Sequence, residues 1–145
     1  MKIRSILLVE DNPQDEMLIL RALKKVNLGN VVDVVRDGQQ ALDFLFGEAE
    51  FTHRAKVERP AAVLLDIGLP RLSGLEVLAR LRADDRTKLL PIVILTSSDE
   101  EEDRLRSYQN GANSFVRKPL DFSSFAETVA RLGIYWLATN EPPQG

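Results

Sequence analysis

Four short, almost uninterrupted apolar runs punctuate this chain: Ile6 to Val9, Ala61 to Leu65, Ile92 to Leu95, and Phe115-Val116. A fifth, Val31 to Val35, is broken only by Asp33. Runs this short and this rich in leucine and β-branched residues suit strands covered on both faces of a parallel sheet. Parallel strands need crossovers, and the intervening segments supply them with readable helix ends. Asn12-Pro13 is a cap followed by proline at the first helical position, opening a helix to about Val26 that Leu28-Gly29 ends. A second helix starts at Asp37 or Gly38 and stops near Gly47. Ser73 with Glu76, and Ser98 with Glu101, have capping-box spacing; the first opens a helix to about Ala83, the second one closed by Asn110-Gly111. A last helix runs from Asp121 to about Ala138. The order βαβαβαβαβα predicts an open α/β fold with helices on both faces of the sheet.

The chemistry sits just past the ends of these runs. The first leads into Glu10-Asp11, the run at Ala61 into Asp66, the next into Thr96, and the last into Lys118. All carboxyl ends of a parallel sheet share one edge, the edge where open α/β folds bind ligands. One such aspartate would be an ordinary loop cap. Three acids, a hydroxyl and a lysine in successive places are more than capping requires. Clustered carboxylates repel unless a cation sits among them, and an oxygen site of this kind suits Mg²⁺, which takes one or two carboxylates and keeps water and phosphate oxygens as its other ligands. One acid is then free to attack phosphorus. Lys118 and Thr96 can hold phosphoryl oxygens, so the set fits phosphoryl transfer by positioning and charge neutralisation.

Composition excludes several other classes. With 145 residues there is room for one ordinary domain, expected over 1–139, with a frayed tail at 140–145. There is no cysteine, hence no disulfide, thiolate metal site or thiol nucleophile. His53 is the only histidine, too few for a histidine metal cluster or, without help, for the usual nucleophile–base–acid triad, and is best placed on a surface loop. A net charge of −3 argues against nucleic acid or an anionic membrane as partner. The apolar stretch after Met1-Lys2-Ile3-Arg4 stops at Glu10, too short for an export signal, and a cytoplasmic location is expected. No G-x-G-x-x-G or G-x-x-x-x-G-K-[ST] motif occurs.

Taken with their spacing, these residues resemble the receiver domain of two-component response regulators, the family of the chemotaxis regulator. The matching elements are Leu8-Val9-Glu10-Asp11-Asn12, Leu65-Asp66 with Leu69-Pro70 and Gly74, Leu95-Thr96-Ser97, Gly111-Ala112 before Phe115, and Lys118-Pro119-Leu120. The resemblance implies a flavodoxin-like sheet of five parallel strands in order 2-1-3-4-5 with five helices. It implies Asp66 as phosphoacceptor, with Mg²⁺ on Asp11, Asp66 and the carbonyl of Gly68, and Glu10 acting through metal-bound water. Lys118 and Thr96 would serve the phosphoryl group. Thr96 and Phe115 would be a switch pair, although Phe115 by itself reads as a core aromatic. A cis Lys118–Pro119 peptide is also implied. The phosphoryl donor would be a sensor histidine kinase whose helical domain docks near Pro13, Gln14, Met17 and the Leu120 loop.

Three further features qualify this picture. The helix from Asp99 begins with five acids, Asp99 to Asp103, and carries only Leu105 and Tyr108 as larger apolar residues, so it is either weakly anchored and movable or simply solvated. The segment 47–60 is long for a connection. The last helix has a stripe of Phe122, Phe125, Val129, Leu132 and Trp136, with Ile134, Tyr135 and Leu137 besides. That excess is either a partner surface or a helix end folded beneath a loop. Together with Val9-Glu10-Asp11-Asn12-Pro13 these features are similar to single-domain regulators paired with bacterial and cyanobacterial phytochrome kinases. That narrower resemblance implies a homodimer using Ile134, Tyr135, Trp136 and Leu137. The competing function is a Mg²⁺-dependent phosphohydrolase with Asp66 as nucleophile, but the acid expected two residues on is Gly68.

Overall fold

Residues 5–26, 31–54, 59–119 and 121–143 are described by a computed structural model, with only the backbone described at Val31, His53, Arg54 and Phe122. The expected placement of the His53 side chain, the Leu28-Gly29 helix stop and the Leu120 loop therefore lie outside the described residues. Five parallel strands, β1 (Ser5–Val9), β2 (Val31–Val35), β3 (Ala62–Leu65), β4 (Ile92–Thr96) and β5 (Ser114–Arg117), form one sheet in the order β2-β1-β3-β4-β5. The helices are α1 (Pro13–Val26), α2 (Gly38–Phe46), α3 (Gly74–Ala83), α4 (Glu101–Gln109) and α5 (Phe122–Ile134). The flavodoxin-like expectation holds. Among the described residues no helix is long and apolar enough to cross a membrane.

Strand alternation divides the interior in two. Leu7, Val9, Val63, Leu65, Ile92 and Ile94 point to one face and pack with α2 and α3 residues such as Leu45, Val77, Leu78 and Leu81. Ile6, Leu8, Leu64, Val93 and Leu95 point to the other and meet Ile19 and Leu23 of α1 and Phe125 and Val129 of α5. Helix ends follow the sequence signals in most places. Asn12 Oδ1 accepts from Gln14 N at 2.9 Å, Asp37 caps α2, and Ser73 caps α3 by accepting from Glu76 N at 3.3 Å. The segment after Gly47 folds into a 3-10 stretch (Ala49–Arg54), where Phe51 packs edge-on against Phe44, ring centroids 5.2 Å apart.

Two expectations fail here. Ser98 does not cap α4: the helix starts at Glu101 with Glu100 in the cap position and no side-chain cap bond. Ser98 Oγ instead donates to Asp103 Oδ2 at 2.7 Å and accepts from Glu100 N at 3.3 Å, so its hydroxyl braces the entry turn. The Lys118–Pro119 peptide is trans, the form that is intrinsically favoured even before proline.

α4 has one buried residue, Ser107, while Leu105 and Tyr108 are more than half exposed. Its far end is better tied. Arg82 of α3 donates to the carbonyls of Gly111, Thr87 and Lys88 and to Asn113 Oδ1, and Gly111 takes a positive φ of 96° beneath that side chain. The Tyr108 hydroxyl accepts from Phe115 N at 3.3 Å, satisfying an outward N–H of the edge strand β5.

Candidate functional site

The order β2-β1-β3 puts the topological switch point between β1 and β3, and the register Val9↔Leu65 sets the residues after them side by side. Asp66 N donates to Val9 O at 3.2 Å, and Glu10 N to Val35 O at 3.1 Å. Glu10, Asp11 and Asp66 thereby bring carboxylate oxygens within 4.8 Å of one another. Glu10 is buried, Asp66 half-buried and Asp11 exposed, so the cluster opens outward through Asp11.

β4 and β5 deliver the remaining groups. Lys118 N donates to Thr96 O at 2.7 Å, continuing the sheet ladder one residue beyond β5. The Lys118 side chain then runs inward across the sheet edge. Its Nζ donates to Glu10 Oε1 at 2.5 Å, Asp15 Oδ2 at 2.9 Å and Asp66 Oδ2 at 3.3 Å. Thr96 is buried, and its Oγ1 accepts from Ser98 N at 3.3 Å. Gly68 is exposed beside the cluster, with its N–H donating to Asp66 Oδ1 at 3.3 Å. Phe115 is half-buried, packed against the α2–α3 core.

Sequence reasoning missed Asp15. Two acids open α1, and in the first turn of any helix they read as partners of the helix dipole. Only the fold shows that one of them faces a lysine 103 residues away. A second omission is the reason for Gly74. A Cβ there would lie 2.1 Å from the Asp66 carbonyl oxygen and 2.8 Å from Ile67 Cα, so α3 starts directly against the backbone that carries Asp66. We expect Gly74→Ala to lower unfolding free energy by about 1–3 kcal/mol in urea titration, the ordinary range for overpacking. It should also displace Asp66.

Charge in the site is unbalanced. Burial pushes the Glu10 carboxyl up to about 7 against the pull of Lys118, and the Asp66 charge adds to that push. Burial also works against the Lys118 ammonium, but bonds to Glu10 and Asp15 and the charge on Asp66 hold it above the ordinary lysine range. Three carboxylates, Glu10, Asp15 and Asp66, share one ammonium, and a fourth, Asp11, lies beside them. An all-oxygen set with excess negative charge fits a hard divalent cation, which would hold Glu10 ionised.

A five-stranded parallel sheet with three acids at its switch point and a lysine reaching back from the last strand defines a receiver. Residues 6–130 match the response regulator receiver domain family, and the chain belongs to that family. It is a response regulator of two-component signalling. It is 38% identical over 138 residues to the probable methanogenesis regulatory protein FilR2 of Methanothrix harundinacea, covering 95% of this chain and 86% of that one. Among solved structures, the phosphorylated cyanobacterial phytochrome response regulator RcpA superposes with a TM-score of 0.91 at 36% identity, covering 99% and 100%. The bacteriophytochrome response regulator RtBRR is 47% identical, with a TM-score of 0.77 and coverage of 99% and 86%. The phosphohydrolase alternative finds no support in these likenesses, and position 68 offers no acid.

Proposed function

We propose that the chain takes a phosphoryl group from a phosphohistidine of a sensor histidine kinase onto Asp66, and that its contacts with other proteins change as a result. The observation that carries this reading is the convergence of Lys118 on Asp66 within an acidic cluster that invites a cation. An Asp66 carboxylate oxygen forms the new O–P bond while the P–N bond of the donor breaks, its electron pair leaving with the imidazole. Lys118 takes up charge on the phosphoryl oxygens, and Thr96 offers its hydroxyl to another of them. Asp11, Asp66 and the Gly68 carbonyl would hold Mg²⁺, with Glu10 acting through water, and the ion would supply charge neutralisation there. The chain catalyses nothing beyond its own charging and discharging. The phosphoryl group would draw Thr96 inward, away from its bond with Ser98 N, and Phe115 would turn into the vacated space. The lightly anchored α4 beside them is the element free to respond.

The domain is taken as 1–139 with a tail at 140–145, and the setting as cytoplasmic. Similarity to RcpA and RtBRR supports a phytochrome-type histidine kinase as donor. Met17 is exposed on α1 beside Pro13 and Gln14, consistent with kinase docking there. A homodimer through α5 is retained on a smaller surface. Ile134 and Tyr135 are about 46% and 45% exposed, whereas Trp136 and Leu137 are buried in the chain's own core and cannot form it. Wild-type protein given Mg²⁺ and a small acyl phosphate should gain one phosphoryl group per chain by intact mass, and a chelator should abolish the gain. Multiple turnover of phosphomonoesters would refute the reading.

A further inference from the structure

The Lys118 ammonium has three N–H donors and three carboxylates receiving them. Glu10 and Asp66 belong to the acidic cluster; Asp15 stands outside it, on α1. Its orientation has a local cause. Asn12 Oδ1 accepts from Gln14 N and, at 3.1 Å, from Asp15 N, which makes Asp15 the third residue of the helix. An acid at that position commonly reaches back to the N–H of the cap residue. Here the Asn12 N–H already donates to Glu10 Oε2 at 3.2 Å. The Asp15 carboxylate is left to reach across to Lys118.

We infer that Asp15 is a positioning residue that competes with the phosphoryl group for the Lys118 ammonium and so sets how readily Asp66 is charged. The inference rests on Asp66 being the acceptor. When a small acyl phosphate reacts, an O–P bond forms at Asp66, the donor's O–P bond breaks, and the electron pair leaves with the donor carboxylate. The arriving phosphoryl oxygens need Lys118, whose N–H groups are all engaged, so one carboxylate must give way. The Glu10 side chain is 1% exposed, and stripping it of the ammonium would leave a buried carboxylate with only the Asn12 N–H. The Asp15 side chain is 27% exposed, so water can replace the ammonium there at little cost. Asp66 must stay in place as the nucleophile, so Asp15 is the contact that yields, and until it does its charge also repels the incoming anion.

The test compares the wild-type chain, Asp15→Asn and Asp15→Glu with Mg²⁺ and a small acyl phosphate, resolving KM from the maximal rate. Asn keeps the shape of the side chain and removes the charge. We expect Asp15→Asn to lower KM about three- to tenfold, the scale of a partly exposed charge-assisted hydrogen bond, with the maximal rate little changed and Asp15→Glu close to wild type. A second readout uses metal-free protein: the Lys118 Nζ–H resonance in ¹⁵N NMR should be broadened by exchange in Asp15→Asn and restored in Asp15→Glu. A KM unchanged or raised in Asp15→Asn, or an unaltered Lys118 resonance, overturns the role of Asp15 while leaving the acceptor in place. A wild type that takes no phosphoryl group overturns the acceptor itself.

Discussion

Asp66→Asn should take phosphoryl labelling by a small acyl phosphate down to background, with the fold intact. Asparagine matches aspartate in shape but its amide cannot form the acyl phosphate, so the nucleophile is removed and little else. Glu10 and Asp11 are the rival acceptors that share the carboxylate cluster with Asp66. Glu10 is buried and occupied by Lys118 and the Asn12 N–H, which leaves it no open approach. Asp11 is exposed, and the Lys118 ammonium is directed to Glu10, Asp15 and Asp66 instead. Removing one negative charge from a crowded cluster also relieves repulsion, so stability to urea should hold or rise slightly. Labelling of Asp66→Asn at the wild-type rate would defeat the assignment. Labelling that moves quantitatively to Asp11 would place the acceptor on the wrong strand.

The strands and most helix ends could be read in advance because they depend on residues near in sequence. Asn12, Asp37, Ser73 and Gly47 signal caps through their own side chains or conformations. The acids after β1 and β3 were legible for a related reason: a parallel sheet brings all carboxyl ends to one edge whatever the strand order. Side-chain direction across that edge was not legible. Asp15 on α1 is as good a dipole partner as Glu16 beside it, yet Glu16 pairs outward with Arg36 while Asp15 turns to Lys118. Ser98 had the spacing of a cap but was drawn to Asp103, because α4 begins with crowded acids that need a donor nearby. Arg82, which fastens the far end of α4, reads from sequence as an ordinary surface arginine. Its bonds fall mostly on backbone carbonyls, which carry no sequence signature.

Trp136→Ala should cost about 3–5 kcal/mol of unfolding free energy, as large aromatic truncations in a core do, and should leave self-association to be judged by other variants. The excess of apolar residues at the end of the last helix admitted two explanations, and the structure divides them. α5 does not continue regularly to Ala138; after Ile134 it widens into a π turn over Tyr135–Thr139, closed by Asn140 N donating to Tyr135 O at 2.6 Å. The wider turn places Trp136 and Leu137 together on the inner side, in the same cluster as Ile19, Leu23 and Phe125. Tyr135 stays outside, edge-on to Trp136 with ring centroids 4.9 Å apart, and Ile134 is exposed before it. Trp136 thus supports the platform on which Tyr135 rests. Tyr135→Ala should change stability by no more than about 0.5 kcal/mol and should weaken dimerisation in sedimentation, because it removes exposed area without opening a core. If Trp136→Ala unfolds at the wild-type urea midpoint, its side chain is not in the core, and the partner surface must extend to it after all.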